Sequence, residues 1–274
     1  MVQSYLIDAL EERCREAEKV MQQVFQRFKE NTIWLSFSGG KDSTVLLDIA
    51  SKVFDRFRVV YVTIPANTHE ECDKYVLEVT QRYDCELFIV RRDDTDFWSL
   101  FQRYGYPCRN RWCLGQFKDK VIAKVTKGCG VGLIGVRRYE SQKRMHRYNS
   151  FVFTPTKTNG YRWVRIVVAP LLNWTSTDIE AYIKRERIPI NPLYEKVGWS
   201  CNCVFCPFLS AEKVRRFLSS ELLAPFREKW WHSHRNLKQR GCETVWRKWD
   251  KVREKAESNR HLRYRIYLIN HITL

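Results

Sequence analysis

The stretch Ile33–Ala50, "IWLSFSGGKDSTVLLDIA", places a short polar run between two apolar segments. "IWLSF" is rich in residues that favour β-structure, whereas the segment from Ser43 onward has the apolar spacing of a helix. Ser38, Gly39 and Gly40 therefore predict a tight strand-to-helix turn with its amide hydrogens and helix dipole directed at an anion. A loop for γ-phosphate transfer has four residues between its first glycine and its Gly-Lys pair. This shorter turn predicts a different phosphate contact.

The apolar periodicity elsewhere alternates between strand and helix patterns. Further strands are predicted in "FRVVYVTI", "CELFIVRR", "VGLIGVRR" and "YRWVRIVVAPLLNW". Helices are predicted in residues 4–30, in "THEECDKYVLEVTQRY" and in "TSTDIEAYIKRERI", the last capped by Thr175 or Ser176. This alternation predicts an α/β, Rossmann-like fold with a parallel sheet and helices on both faces. Ligands of such sheets bind at the carboxyl ends of the strands.

The last quarter of the chain has a different composition. Residues 207–274 are helical in pattern, basic and rich in tryptophan. We therefore predict a nucleotide-binding domain in residues 1–206 and a small basic helical extension in residues 207–274.

The charge of the chain is strongly positive and unevenly distributed. The net charge is +17, and residues 103–148 carry 12 basic against 2 acidic residues, while residues 207–274 carry 16 against 7. Concentrated charge of this kind favours a polyanionic partner, here nucleic acid, with tryptophans available to stack on bases. A surface adapted to a hot or salty habitat is the alternative. No apolar run approaches the ~18 residues of a membrane span. A cytoplasmic protein is expected, and its oligomeric state, a homodimer included, stays open.

Cysteine is abundant, with ten residues, three of them in "CNCVFC". A cytosolic chain does not keep such residues as a disulfide framework, and their crowding favours a metal site. Iron–sulfur, structural zinc and plain buried thiols are all compatible with the spacing. Four other cysteines are interpreted as small core residues: Cys14, Cys72, Cys85 and Cys129.

"SGGKDS" resembles the PP-loop of the ATP pyrophosphatase superfamily, also called adenine nucleotide alpha hydrolase-like. The resemblance implies that the turn grips the β,γ-pyrophosphate of ATP while a nucleophile attacks the α-phosphorus. It also implies that Asp42 acts through Mg²⁺ and that Ser43 donates its hydroxyl to phosphate, with Lys41 in the variable position of the motif.

Two further stretches narrow the resemblance to the phosphoadenosine-phosphosulfate (PAPS) reductase family. "GVRRYES" is similar to its arginine motif, and "APLLNWTSTDIEAYIKRERIPINPLY" followed by "CVFCPF" to its next segment, so the likeness covers residues 25–210 in order. Arg137 and Arg138 offer forked donors for phosphate or sulfate oxygens, with Glu140 orienting one of them. The implied catalytic residues are Lys41, Asp42 and Arg137. The implied nucleotide-binding residues are Ser38, Gly39, Gly40, Lys41, Asp42, Ser43, Gly135, Arg137, Arg138 and Glu140.

One branch of this family carries a [4Fe–4S] cluster held by cysteines after the third strand and by a later Cys-x-x-Cys pair. The resemblance implies Cys113, Cys203 and Cys206 as ligands here, with Cys108, or Cys201 as the alternative, in the fourth place. Zinc remains the alternative metal, since the spacing alone does not choose between the two.

Two functions fit these motifs. In the first, ATP is cleaved to AMP and pyrophosphate to activate a substrate for sulfur transfer, namely thiolation of tRNA or DNA, with sulfur from a donor protein or sulfide. In the second, PAPS or its unphosphorylated analogue (APS) is reduced and sulfite is released. The reductases of this family use a cysteine in a C-terminal Cys-Gly-x-His-like signature, which this sequence does not show. We therefore expect the first function.

Overall fold

The computed structural model describes residues 2–28, 33–107, 111–128, 130–155, 162–206 and 208–239. Within these residues the fold is built on one sheet of six strands in the order β3-β2-β1-β4-β6-β5. The strands are β1 Ile33–Phe37, β2 Arg58–Val62, β3 Glu86–Val90, β4 Val131–Leu133, β5 Val152–Phe153 and β6 Ile166–Val168.

The sheet is parallel except at one edge. Leu35 of β1 lies opposite Val59 of β2 and Leu133 of β4, and only β5 runs antiparallel to its neighbour β6. The predicted Rossmann-like α/β fold is confirmed. The antiparallel edge strand β5 was not predicted, because a strand of two residues is too short to show a period in the sequence.

The observed strands are shorter than predicted, most of all β4 and β6. β4 ends at Leu133, so the "GVRR" run after it is loop, and β6 ends at Val168, before the predicted end at Pro170. The loop after β4 leaves the sheet to lie against a neighbouring helix, with Gly135 at the point of closest approach.

Helices surround the sheet and are joined by short loops. They are α1 Val2–Arg27, α2 Lys41–Val53, α3 Glu70–Thr80, α4 Phe97–Tyr104, α5 Trp112–Leu114, α6 Lys120–Thr126, α7 Gln142–Arg147, α8 Ser176–Glu186, α9 Leu193–Lys196, α10 Ala211–Ser219 and α11 Ala224–Gln239. A π-helical turn, Gly115–Asp119, joins α5 to α6, and 3₁₀ turns lie at Arg138–Glu140 and Glu221–Leu223. None of the helices among the described residues has the length and apolar character needed to span a bilayer.

The core lies between β1, β2 and the helix that follows the serine–glycine turn. Leu35 and Val59 are fully buried, and every residue of α2 from Ser43 to Ala50 is buried. A parallel sheet covered on both faces demands such continuous apolar strands. Because α2 is packed along this length, its N-terminal end has a fixed position at the carboxyl edge of the sheet.

The region after Pro207 is helical where the structure describes it, as predicted. α10 and α11 pack on the core through Phe217 and Trp230, whose rings contact Phe205 at centroid distances of 6.1 and 6.5 Å. Trp230 is only 3% exposed, so the predicted stacking of nucleic-acid bases is wrong for this residue. Trp246 and Trp249 lie outside the described residues, and the boundary between residues 206 and 207 stays a prediction.

The N-terminal cap of α8 offers a test of how this helix is held. The Thr175 hydroxyl accepts a hydrogen bond from the Asp178 amide at 3.2 Å, and the Asp178 carboxylate accepts one from the Thr175 amide at 2.7 Å. We expect Thr175→Ala to lower the free energy of unfolding by about 1 kcal/mol. Thr175→Ser keeps the cap and should lose far less. Urea denaturation of both variants measures this, and equal losses would contradict the capping role.

Candidate active site

The serine–glycine turn, Ser38–Ser43, closes on itself at the end of β1. The Ser43 hydroxyl lies 3.1 Å from the Ser38 hydroxyl and donates to the carbonyl of Gly40 at 2.9 Å. Gly40 caps α2 and has no side chain to satisfy the first amides of the helix. Uncapped amides at a helix N-terminus favour a bound anion. The predicted strand, turn and helix are therefore present, and the phosphate contact stays a prediction.

The turn rests on a closely packed floor. Gly39 has φ of +67°, and a Cβ there would lie 3.0 Å from the Cys72 sulfur and 3.3 Å from Val76. From the other side, the Asn191 amide donates to the carbonyls of Gly39 at 3.3 Å and Ser200 at 3.2 Å. Only glycine combines this backbone conformation with this clearance. The shape of the turn is thus set by its neighbours as well as by its own residues.

The arginine motif meets the turn through one buried ion pair. Arg137 Nε lies 2.9 Å from Asp42 Oδ1, and the same guanidinium donates to the Ser176 hydroxyl at 3.3 Å. Gly135 allows this approach, because a Cβ there would lie 3.0 Å from the backbone carbonyl of Asp42. The structure therefore brings together residues predicted from two separate motifs. The Mg²⁺ role of Asp42 stays a prediction, and in this structure its carboxylate contacts Arg137.

Glu140 has a different partner from those predicted. It accepts a hydrogen bond from the Arg137 backbone amide at 3.2 Å and forms an ion pair with Arg144. Glu140 thus orients Arg144 instead of the guanidinium of Arg137 or Arg138. Arg138 donates its backbone amide to Leu172 at 2.9 Å. Its buried Nε has no hydrogen-bond partner among the residues that the structure describes.

Arg144 stands among several charged groups of the site. Burial lowers the pKa of Arg144, while Tyr148 and Asp42 act to raise it and Arg137 and Arg111 to lower it. Since all these charges act on one guanidinium, Arg144 connects the serine–glycine turn with the segment around Arg111.

The ammonium of Lys41, a residue predicted to be catalytic, contacts side chains outside the Asp42–Arg137 ion pair. Its ammonium lies 3.5 Å from the Glu180 carboxylate and 5.1 Å from the centre of the Tyr194 ring. Its backbone amide donates to the Tyr194 hydroxyl at 3.2 Å. The contacts place Lys41 at the rim of the turn.

Three of the predicted cysteine ligands lie close together. Burial raises the pKa of Cys113 to about 12, and the nearby Cys203 and Cys206 thiols raise it further. Burial likewise raises the pKa of Cys206 to about 11, again with Cys203 contributing. The charges of the three thiolates, Cys203 first, raise the pKa of Lys118. The Lys118 ammonium donates to Asn202 at 3.1 Å, so a cation is fixed beside this thiol group, Cys113–Cys203–Cys206.

The fourth ligand is predicted at Cys108 or, alternatively, at Cys201. Cys201 is fully buried. Burial raises the pKa of its thiol, and Cys72 and Cys203 raise it further. Cys201 therefore lies near both the floor of the turn and the thiol group. Cys108 lies outside the described residues. In the described ranges, no set of three or more His, Cys, Asp or Glu side chains is arranged to hold a metal ion. The donor type nevertheless fits a thiolate-bound metal, because three sulfurs sit beside a compensating ammonium.

The loop carrying Cys203 and Cys206 is fastened to the loop after β2. Asn67, fully buried, donates to the Phe205 carbonyl at 3.0 Å and accepts from the Phe205 amide at 2.9 Å. Asn202 donates to the Val62 carbonyl at 2.8 Å. Because Asn191 bridges Ser200 and Gly39, the thiol group and the serine–glycine turn share one hydrogen-bonded frame.

The remaining described cysteines fit their predicted core role. Cys14 and Cys72 are buried and Cys85 is half-buried. Cys129 lies outside the described residues.

Sequence reasoning missed the residues that connect the motifs. They are Lys118, Arg144, Ser176, Asn191 and Tyr194. Arg144 could have been found, because it follows Glu140 by four positions and carries the opposite charge. Lys118 could not, because its position depends on the π-helical turn, which the apolar spacing does not reveal.

Comparison with known proteins agrees with this arrangement of motifs. The family described as "Phosphoadenosine phosphosulfate reductase domain" matches residues 32–209, more than half of the chain. The chain belongs to this family. The predicted family resemblance is therefore confirmed, and the match spans the serine–glycine turn, the arginine motif and the Cys203–Cys206 pair.

Relatives of this PAPS reductase family member differ in length and name. Two uncharacterised proteins of Methanocaldococcus jannaschii are 27% identical over 89% of the chain and 30% identical over 68% of it. The matches cover 46% and 44% of those proteins, so the chain spans less than half of their length. An adenosine 5′-phosphosulfate reductase of Staphylococcus epidermidis is 24% identical over 69% of the chain and 76% of its own length.

Solved structures show the same fold in proteins of low identity. A U34-tRNA thiolase from Methanococcus maripaludis, solved with its [4Fe–4S] cluster, gives a TM-score of 0.52 at 13% identity, over 83% of this chain and 80% of that one. The FMN adenylyltransferase of Candida glabrata, solved with FMN and an ATP analogue, gives 0.51 at 17% identity, over 70% and 63%. At these identities the likeness establishes the fold alone.

The floor of the turn leads to a prediction about nucleotide affinity. Gly39→Ala adds a Cβ against Cys72 in a conformation that L-residues disfavour, so we expect ATP-analogue affinity to fall at least about tenfold. Calorimetric titration with a nonhydrolysable ATP analogue measures this.

Gly105→Ala is the matched control, because Gly105 has φ of +71° and no atom within 4 Å of its would-be Cβ. The double variant Gly39→Ala/Cys72→Ala separates the steric clash from the backbone strain. Unchanged affinity in Gly39→Ala would show that nucleotide does not bind at this turn.

Proposed function

We propose that this protein is a PP-loop ATP pyrophosphatase that activates a nucleic acid, tRNA or DNA, for sulfur transfer. The observation that carries the proposal is the Arg137–Asp42 ion pair beside the uncapped end of α2. It brings a guanidinium, a carboxylate and the N-terminal turn of a helix together at the carboxyl edge of the sheet.

The chemistry follows from what such groups stabilise. An acceptor oxygen attacks the α-phosphorus of ATP, the bond to the bridging β-phosphate oxygen breaks, and pyrophosphate leaves with its electron pair. The amides of the turn and Arg137 stabilise the negative charge that develops on this leaving group. Asp42 offers a hard oxygen ligand for the Mg²⁺ that accompanies ATP. A sulfur nucleophile then displaces AMP, which takes the acceptor oxygen with it.

The thiol group supplies the second half of the proposal. Cys113, Cys203 and Cys206, with Cys108 or Cys201, would hold a [4Fe–4S] cluster, with zinc as the alternative. When bound, such a cluster would supply a sulfide-binding centre close to the activated acceptor. The fold likeness to a tRNA thiolase solved with its [4Fe–4S] cluster supports this choice. Whether the sulfur comes from a donor protein or from sulfide is not decided by the residues.

The nucleic-acid acceptor rests on charge. The formal net charge is +17. Contacts of lysine and arginine with a phosphate backbone make binding strongly dependent on salt. A cytoplasmic location and a homodimer are further predictions that no residue on the described surface tests.

A second candidate is the reduction of a sulfonucleotide, favoured by the likeness to adenosine 5′-phosphosulfate reductases. That reaction needs an accessible thiol to attack the sulfate sulfur. Each cysteine within the described ranges is buried or half-buried. The described surface thus lacks the exposed nucleophile that the reductase needs.

The deciding assay separates the two functions by their products. The anaerobically purified full chain is given ATP with tRNA or with DNA, and in parallel PAPS or APS with a thiol reductant. We expect AMP and pyrophosphate from ATP and no sulfite. Arg137→Ala should slow pyrophosphate release by about 10²–10³-fold, since it removes one preorganised donor. The control is Arg82→Ala, because Arg82 is an exposed arginine just after the C-terminal end of α3. Sulfite without pyrophosphate would establish the reductase instead.

The thiol group gives a separate prediction about metal. Alanine at Cys113, Cys203 or Cys206 should abolish bound iron and acid-labile sulfide, because each removes one of the few available thiolates. Cys85→Ala should retain the full iron and sulfide content, since Cys85 directly precedes β3, at the end of the strand opposite the carboxyl edge of the sheet. Comparing Cys108→Ala with Cys201→Ala identifies the fourth ligand. Stoichiometric zinc without iron or sulfide in the anaerobic protein would rule out the cluster.

A further inference from the structure

A cavity of about 600 Å³ opens beside the candidate active site. Its walls come from α5 and the π-helical turn on one side and from α7 and β5 on the other. Leu114, which follows Cys113, and Ile134, which precedes Gly135, both line it. The cavity is therefore lined by the residues next in sequence to Cys113 of the thiol group and to Gly135 of the arginine motif. Its size is that of a small-ligand site.

The inner wall of the cavity is aromatic. Tyr148 and Phe153 pack at a ring-centroid distance of 5.3 Å, and Trp163 lies on the same wall. All three are half-buried, so each leaves part of its ring free to face a ligand. Aromatic walls of this kind hold flat heterocycles by stacking.

The mouth of the cavity is cationic and polar. Arg111 and Arg147 are both exposed there, next to Asn149 and Ser150. Arg111 lies 4.7 Å above the ring of Phe208, which is 55% exposed. Forked guanidinium groups suit the oxygens of a phosphodiester. The mouth thus favours an anionic ligand with an apolar, planar part.

Arg144 joins the mouth to the phosphate site. The charges of Tyr148, at the cavity, and of Asp42, at the serine–glycine turn, both act on its guanidinium. Arg144 is therefore near enough to both the cavity and the turn for its charge to act on each.

We propose that this cavity binds one unpaired nucleotide of the acceptor nucleic acid, its base against Tyr148, Phe153 and Trp163 and its phosphates at Arg111 and Arg147. The inference rests on the proposed function, since it assigns the acceptor of that reaction. It also gives the predicted base stacking a new location, since Trp230 is buried. A base inside a duplex must leave the stack before an enzyme can reach it, whereas unpaired bases are accessible and stack readily on aromatic side chains.

The test uses photochemistry and so needs no turnover. The full chain is mixed with a short single-stranded RNA that carries one 5-iodouridine, with the matching DNA, or with free uridine monophosphate as competitor. Irradiation followed by mass spectrometry maps the crosslink, and fluorescence anisotropy measures affinity for the labelled RNA and DNA. We expect the crosslink at Tyr148, Phe153 or Trp163.

Two variants and a control sharpen the test. Ser150→Trp fills the mouth from an exposed position, and Arg147→Ala removes a phosphate contact, so each should weaken oligonucleotide binding about tenfold or more. Arg82→Ala removes an equal charge far from the cavity and should leave the affinity unchanged. Thermal unfolding checks that all three variants are folded. Preference for RNA or DNA identifies the acceptor polymer.

The possible failures are distinguishable. Crosslinks confined to residues 207–274, together with equal affinity of Ser150→Trp and Arg82→Ala, would overturn the cavity assignment while leaving pyrophosphate release intact. Binding of uridine monophosphate without any binding of oligonucleotide would also overturn it. Crosslinks in the cavity of a protein that releases no pyrophosphate would support the assignment and refute the proposed activity.

Discussion

The ion pair between Arg137 and Asp42 determines the layout of the site. The two side chains are 10% and 25% exposed, so the pair is largely withdrawn from water. Removing one partner of such a pair costs about 3–5 kcal/mol, because the other charge stays buried and unpaired. Through this contact the loop after β4 is held against the first turn of α2. The position of the serine–glycine turn and that of the arginine motif therefore depend on the same contact.

A second constraint links this arrangement to the cysteines. Asn67 makes reciprocal hydrogen bonds with the backbone of Phe205, and leaving either backbone group unsatisfied costs about 1–3 kcal/mol. Asn191 extends the same frame to the floor of the serine–glycine turn. Nucleotide site and thiol group are thus parts of one rigid surface at the carboxyl edge of the sheet. Rigid positioning of this kind is what a two-step transfer requires, because both reacting centres must reach one acceptor atom.

Local chemistry explains which features could be predicted from the sequence. The strand, turn and helix around Ser38–Ser43 could be predicted, because apolar periodicity and glycine conformational freedom act within a few residues. The burial of Trp230 and the closeness of Cys201 to Cys72 could not, because both depend on how distant segments pack. The partner of Glu140 lies between these cases. The four-residue spacing between Glu140 and Arg144 was visible in the sequence, but the resemblance to the arginine motif favoured Arg137 or Arg138 as the partner of Glu140.

Positively charged side chains lie beside the thiol group and the serine–glycine turn. Thiolates and phosphates are both costly to bury without a counter-charge. Lys118 supplies that charge beside the thiol group, Arg137 beside the turn, and Arg144 between the turn and the cavity. A neutral small molecule would gain little from this arrangement, whereas a nucleotide within a polyanion meets a cation at each contact. Under the proposed function, the internal charges beside the thiol group and the turn and the surface charges that would attract the acceptor have the same sign.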